Sequence, residues 1–286
     1  MNYRHAFHAG NFADVVKHIV LARVLVYLAR KDAAFRVLDT HAGAGLYDLG
    51  GEEASRTGEW EAGVAAALAT PLPAPVEALI APWRAAINAA NPQGFDTGLA
   101  HYPGSPFIAR HLSRPQDRML FCESEPGVRA ALAEVMRADG RVKVLPTDGW
   151  QALSAYLPPK ERRGLVLIDP PFEEGGEFHR LAEGLVGAHR RWEGGVLMAW
   201  YPIKDVRAVD AFRREVTRAG IPKTLRIEFD LAEVRQADRL SGAGLVVVNP
   251  PFTLAEEMRT VMTALAPRLA HDGRGRVRIG WLMPER

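Results

Sequence analysis

The sequence predicts an α/β fold, a mostly parallel sheet covered by helices on both faces. Three observations carry this reading. Short apolar runs alternate with helical patterns over most of the chain, and several of the runs are followed at once by an acid. Two of the runs, "LVLIDPPFEEG" (Leu165 to Gly175) and "LVVVNPPFTLA" (Leu245 to Ala255), end on Asp or Asn, two prolines and Phe.

The first element is a helix. "NFADVVKHIVLARVLVYLARK" has apolar residues at helical spacing, with Asn11 as a candidate N-cap and Asp14 three residues on. "FRVLDTHAGAGLYDLG" reads as a strand, Arg36–Asp39, running into a glycine turn. Residues 52–98 are rich in Ala and Pro and have helical but no strand patterning. Trp60, Trp83 and long apolar faces mark them as a small helical insertion rather than a linker, which assigns 1–51 and 99–286 to the core. Ser105-Pro106 offers an N-cap and a first-turn proline for a helix over "PFIARHL". Further strands are expected at Arg118–Cys122, Arg141–Leu145, Gly164–Ile168, Gly195–Trp200, Lys223–Leu231, Gly244–Val248 and Val277–Leu282. With Arg36–Asp39 they exceed a seven-stranded sheet by one, and the pattern does not say which is surplus.

Composition narrows the classes. The chain has 286 residues, 48% hydrophobic and 24% charged, enough for one large domain or one domain with an insertion. No apolar run reaches the roughly 20 residues that cross a bilayer, and the N-terminus lacks the h-region and cleavage site of a signal peptide. Cys122 is the single cysteine, so no internal disulfide forms and a reducing cytoplasm is the natural setting. His5 and His8 are three apart but precede the helix cap, and no zinc spacing accompanies them, so no metal is expected. The net charge of +2 does not by itself require a nucleic-acid partner. The basic residues do cluster, at Lys160–Arg163, His189–Arg191, Arg213–Arg214 and Arg274–Arg278, which suits either solvated helix ends or a phosphate-tracking face.

In such sheets ligands bind beyond the carboxyl ends of the strands. The residues there are Asp39, His41, Gly43 and Gly45 after the first strand, Glu123 after the second, Asp148-Gly149 after the third and Asp169 after the fourth. The intervals from Glu123 to Asp148 and from Asp148 to Asp169 each match about one βα unit, so these acids fall along one edge. A G-x-G turn alone serves NAD, FAD or S-adenosylmethionine, or is only a tight turn. Carboxylates beside it repel a pyrophosphate but suit a sulfonium and an amino group, and an acid after the second strand accepts from both ribose hydroxyls. The pattern favours S-adenosylmethionine.

Asp169-Pro170-Pro171-Phe172 adds reaction chemistry. The exocyclic amine of adenine is a poor nucleophile because its lone pair is delocalised into the ring. Two acceptors near its N–H groups, the Asp169 carboxylate and the Pro170 carbonyl, reorient that lone pair towards a methyl donor. The prolines fix φ and carry no N–H, and Phe172 offers a face on which an extruded base can stack.

The segments "YRHAFHAGNFADVVKH", "LDTHAGAGLY", "YPGSP", "LIDPPF", "WYP" and "VVNPPF" together resemble the RlmJ family of bacterial 23S ribosomal RNA adenine-N6 methyltransferases, over nearly the whole chain. The resemblance implies a Rossmann-like class I methyltransferase fold, S-adenosylmethionine as cofactor and ribosomal RNA as partner. It implies that His18 and His41 lie beside the cofactor and that Ser105, Glu123, Asp148 and Gly149 complete its shell. Asp169 is then the catalytic residue, and Tyr3 faces the RNA and gates the pocket. Glu125 competes with Glu123 for the ribose, although strand register favours Glu123. A cytoplasmic monomer acting on free 23S RNA or an early precursor is expected, without metal or membrane. The rivals are a methyltransferase acting on DNA adenine or a protein glutamine amide, and a non-catalytic RNA-binding assembly factor. Of the two Pro-Pro-Phe runs, Asp169 should be the site, because Asn249 follows a late strand expected to run antiparallel and end at the opposite edge.

Overall fold

The computed structural model describes residues 4–94, 98–231, 240–270 and 273–285. After a short 3-10 turn, His5–Phe7, come α1 (Phe12–Ala29), β1 (Arg36–Asp39), β2 (Leu46–Asp48) and α2 (Glu52–Thr57). A π-helical turn, Glu61–Ala65, leads into α3 (Ala66–Leu68) and α4 (Ala74–Ala90). Next are β3 (His101–Pro103), α5 (Ser105–Leu112), β4 (Arg118–Cys122), α6 (Pro126–Met136), β5 (Val142–Leu145), α7 (Gly149–Ala155) and β6 (Gly164–Ile168). The remainder is α8 (Glu177–Arg191), β7 (Val196–Ile203), α9 (Val206–Arg218), β8 (Thr224–Asp230), β9 (Gly242–Val248), α10 (Leu254–Leu269) and β10 (Arg276–Met283).

Eight strands form one sheet in the order β10-β8-β9-β7-β6-β1-β4-β5. From β7 to β5 the pairs are parallel, whereas β9 inserts antiparallel between β7 and β8. The surplus strand is β10, which adds antiparallel to the outer side of β8. The strand expectations agree with the structure to within two residues at each end, except that β7 runs three residues past the expected Trp200, to Ile203. The sequence reading missed β2 and β3, a three-residue antiparallel pair, because elements that short leave no periodic signal.

The central strands are buried on both faces, which is why they read as continuous apolar runs. In β6, Leu165 and Leu167 join the core beneath α1, α4, α5 and α10, while Val166 and Ile168 join the core beneath α7, α8 and α9. Leu245 and Val247 of β9 divide from Val246 and Val248 in the same way. The described residues between 52 and 90 that lie in elements are helical, and Val64, Ile80, Trp83 and Ile87 enter the same core as α1 and α10.

Asn11 caps α1 as expected, accepting from the Ala13 and Asp14 amides at 2.9 and 3.0 Å. The expectation for Ser105 needs correction. Gly104 is the N-cap of α5, and Ser105 is the first helical residue. As a helical residue Ser105 cannot turn back to accept from the first-turn amides, and its hydroxyl donates to the buried Asp39 Oδ2 at 2.7 Å.

Candidate active site

Four loops meet at the carboxyl edge of the parallel strands. The turn after β1 places Gly43 and Gly45 at φ +66 and +79, in the left-handed region that favours glycine. A Cβ at Gly43 would sit 2.3 Å from the Tyr47 hydroxyl. The loop after β5 lies directly on this turn, since a Cβ at Gly149 would meet the Thr40 carbonyl at 2.3 Å.

Glu123 ties the turn to the loop after β4. Its Oε2 accepts from the Gly43 amide at 3.0 Å and its Oε1 from the Glu125 amide at 2.9 Å. Each oxygen keeps a second lone pair. Glu125 is occupied differently, as the N-cap of α6 accepting from the Val128 amide. Of the two acids, Glu123 is therefore the one that faces the glycine turn. Asp148 caps α7 through the Trp150 and Gln151 amides, both at 3.0 Å.

Asp39 is buried. Its Oδ2 accepts from Ser105 Oγ at 2.7 Å and its Oδ1 from the His41 amide at 3.3 Å. Burial pushes its carboxyl up to about 7, against the Ser105 hydrogen bond and with help from the Asp169 charge. Thr40 Oγ1 donates to the Leu167 carbonyl at 3.1 Å, so at its 2.8 Å contact with His41 the imidazole Nδ1–H donates. Burial lowers His41 to about 4 despite the pull of Asp169 and Asp148, which leaves a neutral ring with Nε2 as an acceptor. The ring meets Trp150 edge-on at 5.4 Å.

Asp169 directly follows β6, which lies next to β1 in the sheet. Its Oδ2 accepts from Lys17 Nζ at 2.5 Å, and the same ammonium reaches Asp14 Oδ1 at 2.9 Å. Burial alone would lower Lys17, but the Asp14 and Asp169 carboxylates outweigh it and hold the amine well above the ordinary lysine range. Asp14 also accepts from His5 Nε2 at 3.0 Å and from the Gly10 amide at 2.9 Å, drawing the N-terminal segment to the site. Pro170 is buried and Pro171 exposed. The Phe172 ring is half-buried against Phe178 and Trp200, with centroids 4.9 and 5.9 Å away.

His18 is fully buried one residue beyond Lys17. Its Nδ1 meets the Tyr102 hydroxyl at 2.8 Å. Its Nε2 has no hydrogen-bond partner among the described residues. Burial lowers His18 to about 3, opposed by Asp14. Tyr3, expected to gate the pocket, lies outside the described residues.

The structure thus brings Asp39, His41, Gly43, Gly45, Ser105, Glu123, Asp148, Gly149 and Asp169 to one edge, with His18 behind them. Sequence reasoning missed Lys17, Asp14 and His5. A signal was present: α1 is buried on nearly every face, so an acid and a lysine one turn apart inside it must pair with each other or with a site. Among the described residues no cluster of His, Cys, Asp and Glu is arranged to hold a metal, and no helix is long and apolar enough to cross a membrane.

The residues at this edge fit a cationic, hydroxyl-rich cofactor. They are rich in acceptors, the glycine turn allows close approach, and the orphaned His18 Nε2 is a buried polar atom wanting a partner. Sheet order, antiparallel β9 and this acceptor-lined edge define a class I methyltransferase, which takes its methyl group from S-adenosylmethionine. Comparison with known proteins gives the family. The family model described as "Ribosomal RNA large subunit methyltransferase D, RlmJ" matches residues 32–283, and the chain belongs to that family. It is 39% identical to "Ribosomal RNA large subunit methyltransferase J" of Escherichia coli (strain K12) over 288 residues, covering 100% of both chains. The relative of the same name in Haemophilus influenzae is 37% identical over 286 residues, again covering 100% of both. A crystal structure of a protein from Legionella pneumophila, 32% identical, superposes with a TM-score of 0.85 over 96% of this chain and 98% of that one.

Proposed function

We propose that this protein methylates N6 of an adenine in 23S ribosomal RNA, as a cytoplasmic monomer acting on free RNA or an early precursor. The observation that carries the reading is Asp169, presented beside the glycine turn on a two-proline loop and fixed through one oxygen by a buried lysine. The relatives that match over their full length are named as ribosomal RNA large subunit methyltransferases, which supports the substrate class.

The cofactor supplies an electrophilic methyl group on a positively charged sulfur. The chain's own residues do the rest. Glu123 offers its two free lone pairs to the ribose hydroxyls, and Asp148-Gly149 and neutral His41 offer further acceptors and a close backbone. Lys17 occupies Oδ2, so Oδ1 is the oxygen left to accept from the adenine amine. The Pro170 carbonyl accepts the other N–H. With both N–H groups engaged, the nitrogen lone pair turns out of conjugation and towards the methyl group. The nitrogen–carbon bond forms as the carbon–sulfur bond breaks, and the amine proton leaves by way of Asp169. Phe172, Pro171 and Tyr3 are assigned to holding the base.

Mass mapping of methyl groups on ribosomal RNA from cells with and without the protein tests this. One adenine should lose its N6-methyl mark, and methyl transfer to a protein-free 23S transcript should restore it. A transcript left unmodified while DNA or a protein glutamine is methylated rejects the substrate.

A further inference from the structure

Three sequence features take no part in the methyl-transfer site: the second Pro-Pro-Phe run and the basic clusters at Lys160–Arg163 and His189–Arg191. The fold gathers them at the amino edge of the sheet, opposite the cofactor. Val248 pairs with Leu197 near the start of β7, so the run after β9 emerges where the parallel strands begin. Asn249 takes φ +51 and donates from Nδ2 to the Glu193 and Gly195 carbonyls at 2.8 and 2.9 Å, which fastens it to the turn after His189–Arg191. Trp192 Nε1 donates to the Arg162 carbonyl at 3.3 Å. Arg163 in turn donates to the Leu28 and Ala33 carbonyls, both at 2.9 Å, and so fastens the other cluster to the end of α1. Four segments distant in sequence are one continuous surface.

That surface has an unusual composition. Phe252 is 79% exposed, the most exposed of the large apolar side chains among the described residues. It meets Tyr27 edge-on at 6.0 Å, and the Arg30 guanidinium lies 5.4 Å from the Tyr27 ring centre. The Asn249 anchor and two prolines without N–H groups hold Phe252 in place, so little freedom is lost when something stacks on it. On the segments joined into this surface, Lys31, Lys160, Arg162 and Arg190 are exposed and make no side-chain hydrogen bond or ion pair among the described residues. Asp32, Glu193 and Glu256 are the exposed carboxylates nearby in sequence, and Glu256 is paired with Arg259 at 3.2 Å. Fixed aromatic faces among unpaired cations match a nucleic-acid strand, whose bases stack and whose phosphates need counter-charge. A protein-binding patch would instead be depleted of charge at its centre.

We infer that the amino edge is a second RNA-docking surface, where an unpaired base stacks on Phe252 and Tyr27 while Lys31, Lys160, Arg162 and Arg190 track phosphates. The inference rests on the ribosomal RNA reading and extends it. The two edges are separated by the length of β6, five residues, or about 16 Å. The substrate is therefore a folded RNA that reaches around the sheet, held at one edge and methylated at the other.

The test uses the full chain and a protein-free 23S transcript, with affinity followed by fluorescence anisotropy over a range of salt. Phe252→Ala should weaken binding roughly tenfold, in the range of one lost base stack. The combined variant Lys31→Ala, Lys160→Ala, Arg162→Ala, Arg190→Ala should reduce the salt slope by about three. Both should raise KM for the transcript, leave kcat at saturating RNA unchanged and keep the melting temperature and cofactor affinity, since every altered side chain is exposed. If the unaltered enzyme methylates the transcript but both variants keep its affinity and salt slope, the docking surface is wrong, the surface passes to a protein partner and the functional reading stands. A loss of kcat at unchanged KM also overturns the docking role. If the unaltered enzyme neither binds nor methylates the transcript, the functional reading fails and this inference falls with it.

Discussion

The two Pro-Pro-Phe runs make opposite predictions when their first residues are replaced by Ala. At Asp169 the substitution removes one of the two acceptors proposed for the adenine amine. Loss of one preorganised group that acts in the transition state costs about 10²- to 10³-fold in rate, or roughly 3–4 kcal/mol. Lys17 keeps Asp14 at 2.9 Å, so its buried charge is not stranded and the fold should survive. At Asn249 the substitution removes two hydrogen bonds to carbonyls, worth about 1 kcal/mol each, and puts Ala at φ +51, which costs about another 1–2 kcal/mol. That variant should unfold at lower urea by roughly 3 kcal/mol and transfer methyl at a normal rate per folded molecule. Single-turnover transfer of labelled methyl, with saturating cofactor and RNA, measures the first effect, and urea titration measures the second. Asp169→Ala within tenfold of the unaltered rate beside a dead but folded Asn249→Ala would reverse the assignment.

Glu123→Ala should weaken S-adenosylmethionine binding by about 1.5–3 kcal/mol, because charge-assisted contacts to ribose are lost and the Gly43 amide loses its acceptor. Calorimetric titration with unchanged affinity rejects the role. Deleting Met1–Arg4 should leave cofactor binding largely intact and slow methyl transfer, a result that full-rate methylation by the truncated enzyme excludes. Stability should depend on pH with two opposing signs. His18 and His41 are held at about 3 and 4 against an ordinary 6.5, so the unfolded chain takes up protons that the native chain refuses, and each costs about 2 kcal/mol as pH falls from 7 to 5. Asp39, held at about 7 against an ordinary 3.8, binds its proton in the native state first and returns about 2 kcal/mol over the same window. Asp39→Asn should therefore steepen the loss of stability between pH 7 and 5, as measured by urea titration, and an unchanged pH dependence refutes its raised pKa.

The sheet was legible because buried parallel strands write themselves as apolar runs, and the position after each run named its own acid. Glu123 and Asp169 could be found this way without any side-chain contact being known. The surplus strand could not be identified, because β10 carries an apolar stretch that reads as a strand like the others, and its edge position is a fact of pairing. The Ser105 expectation failed for a related reason. Cap preference describes a serine alone with its helix, and here the helix starts one residue earlier, on Gly104, with Ser105 in its first turn donating to Asp39, 66 residues away. Lys17 was hidden because Asp169, its partner, is 152 residues distant, and only the folded chain makes the pair.

That separation bears on how the protein is made. Lys17 and His18 sit on α1, which is synthesised before every strand of the sheet. Yet α1 packs against α4, α5 and α10, and Arg23 is held by both carboxylate oxygens of Glu257 at 2.8 and 2.9 Å, across 234 residues. A nascent chain growing at about 5–20 residues per second has its first helix waiting many seconds for its last. During that interval α4 and α5 can already cover part of α1, but the face that meets α10 has no partner. The face of α1 that meets α10 is therefore completed last, when the Arg23–Glu257 pair forms.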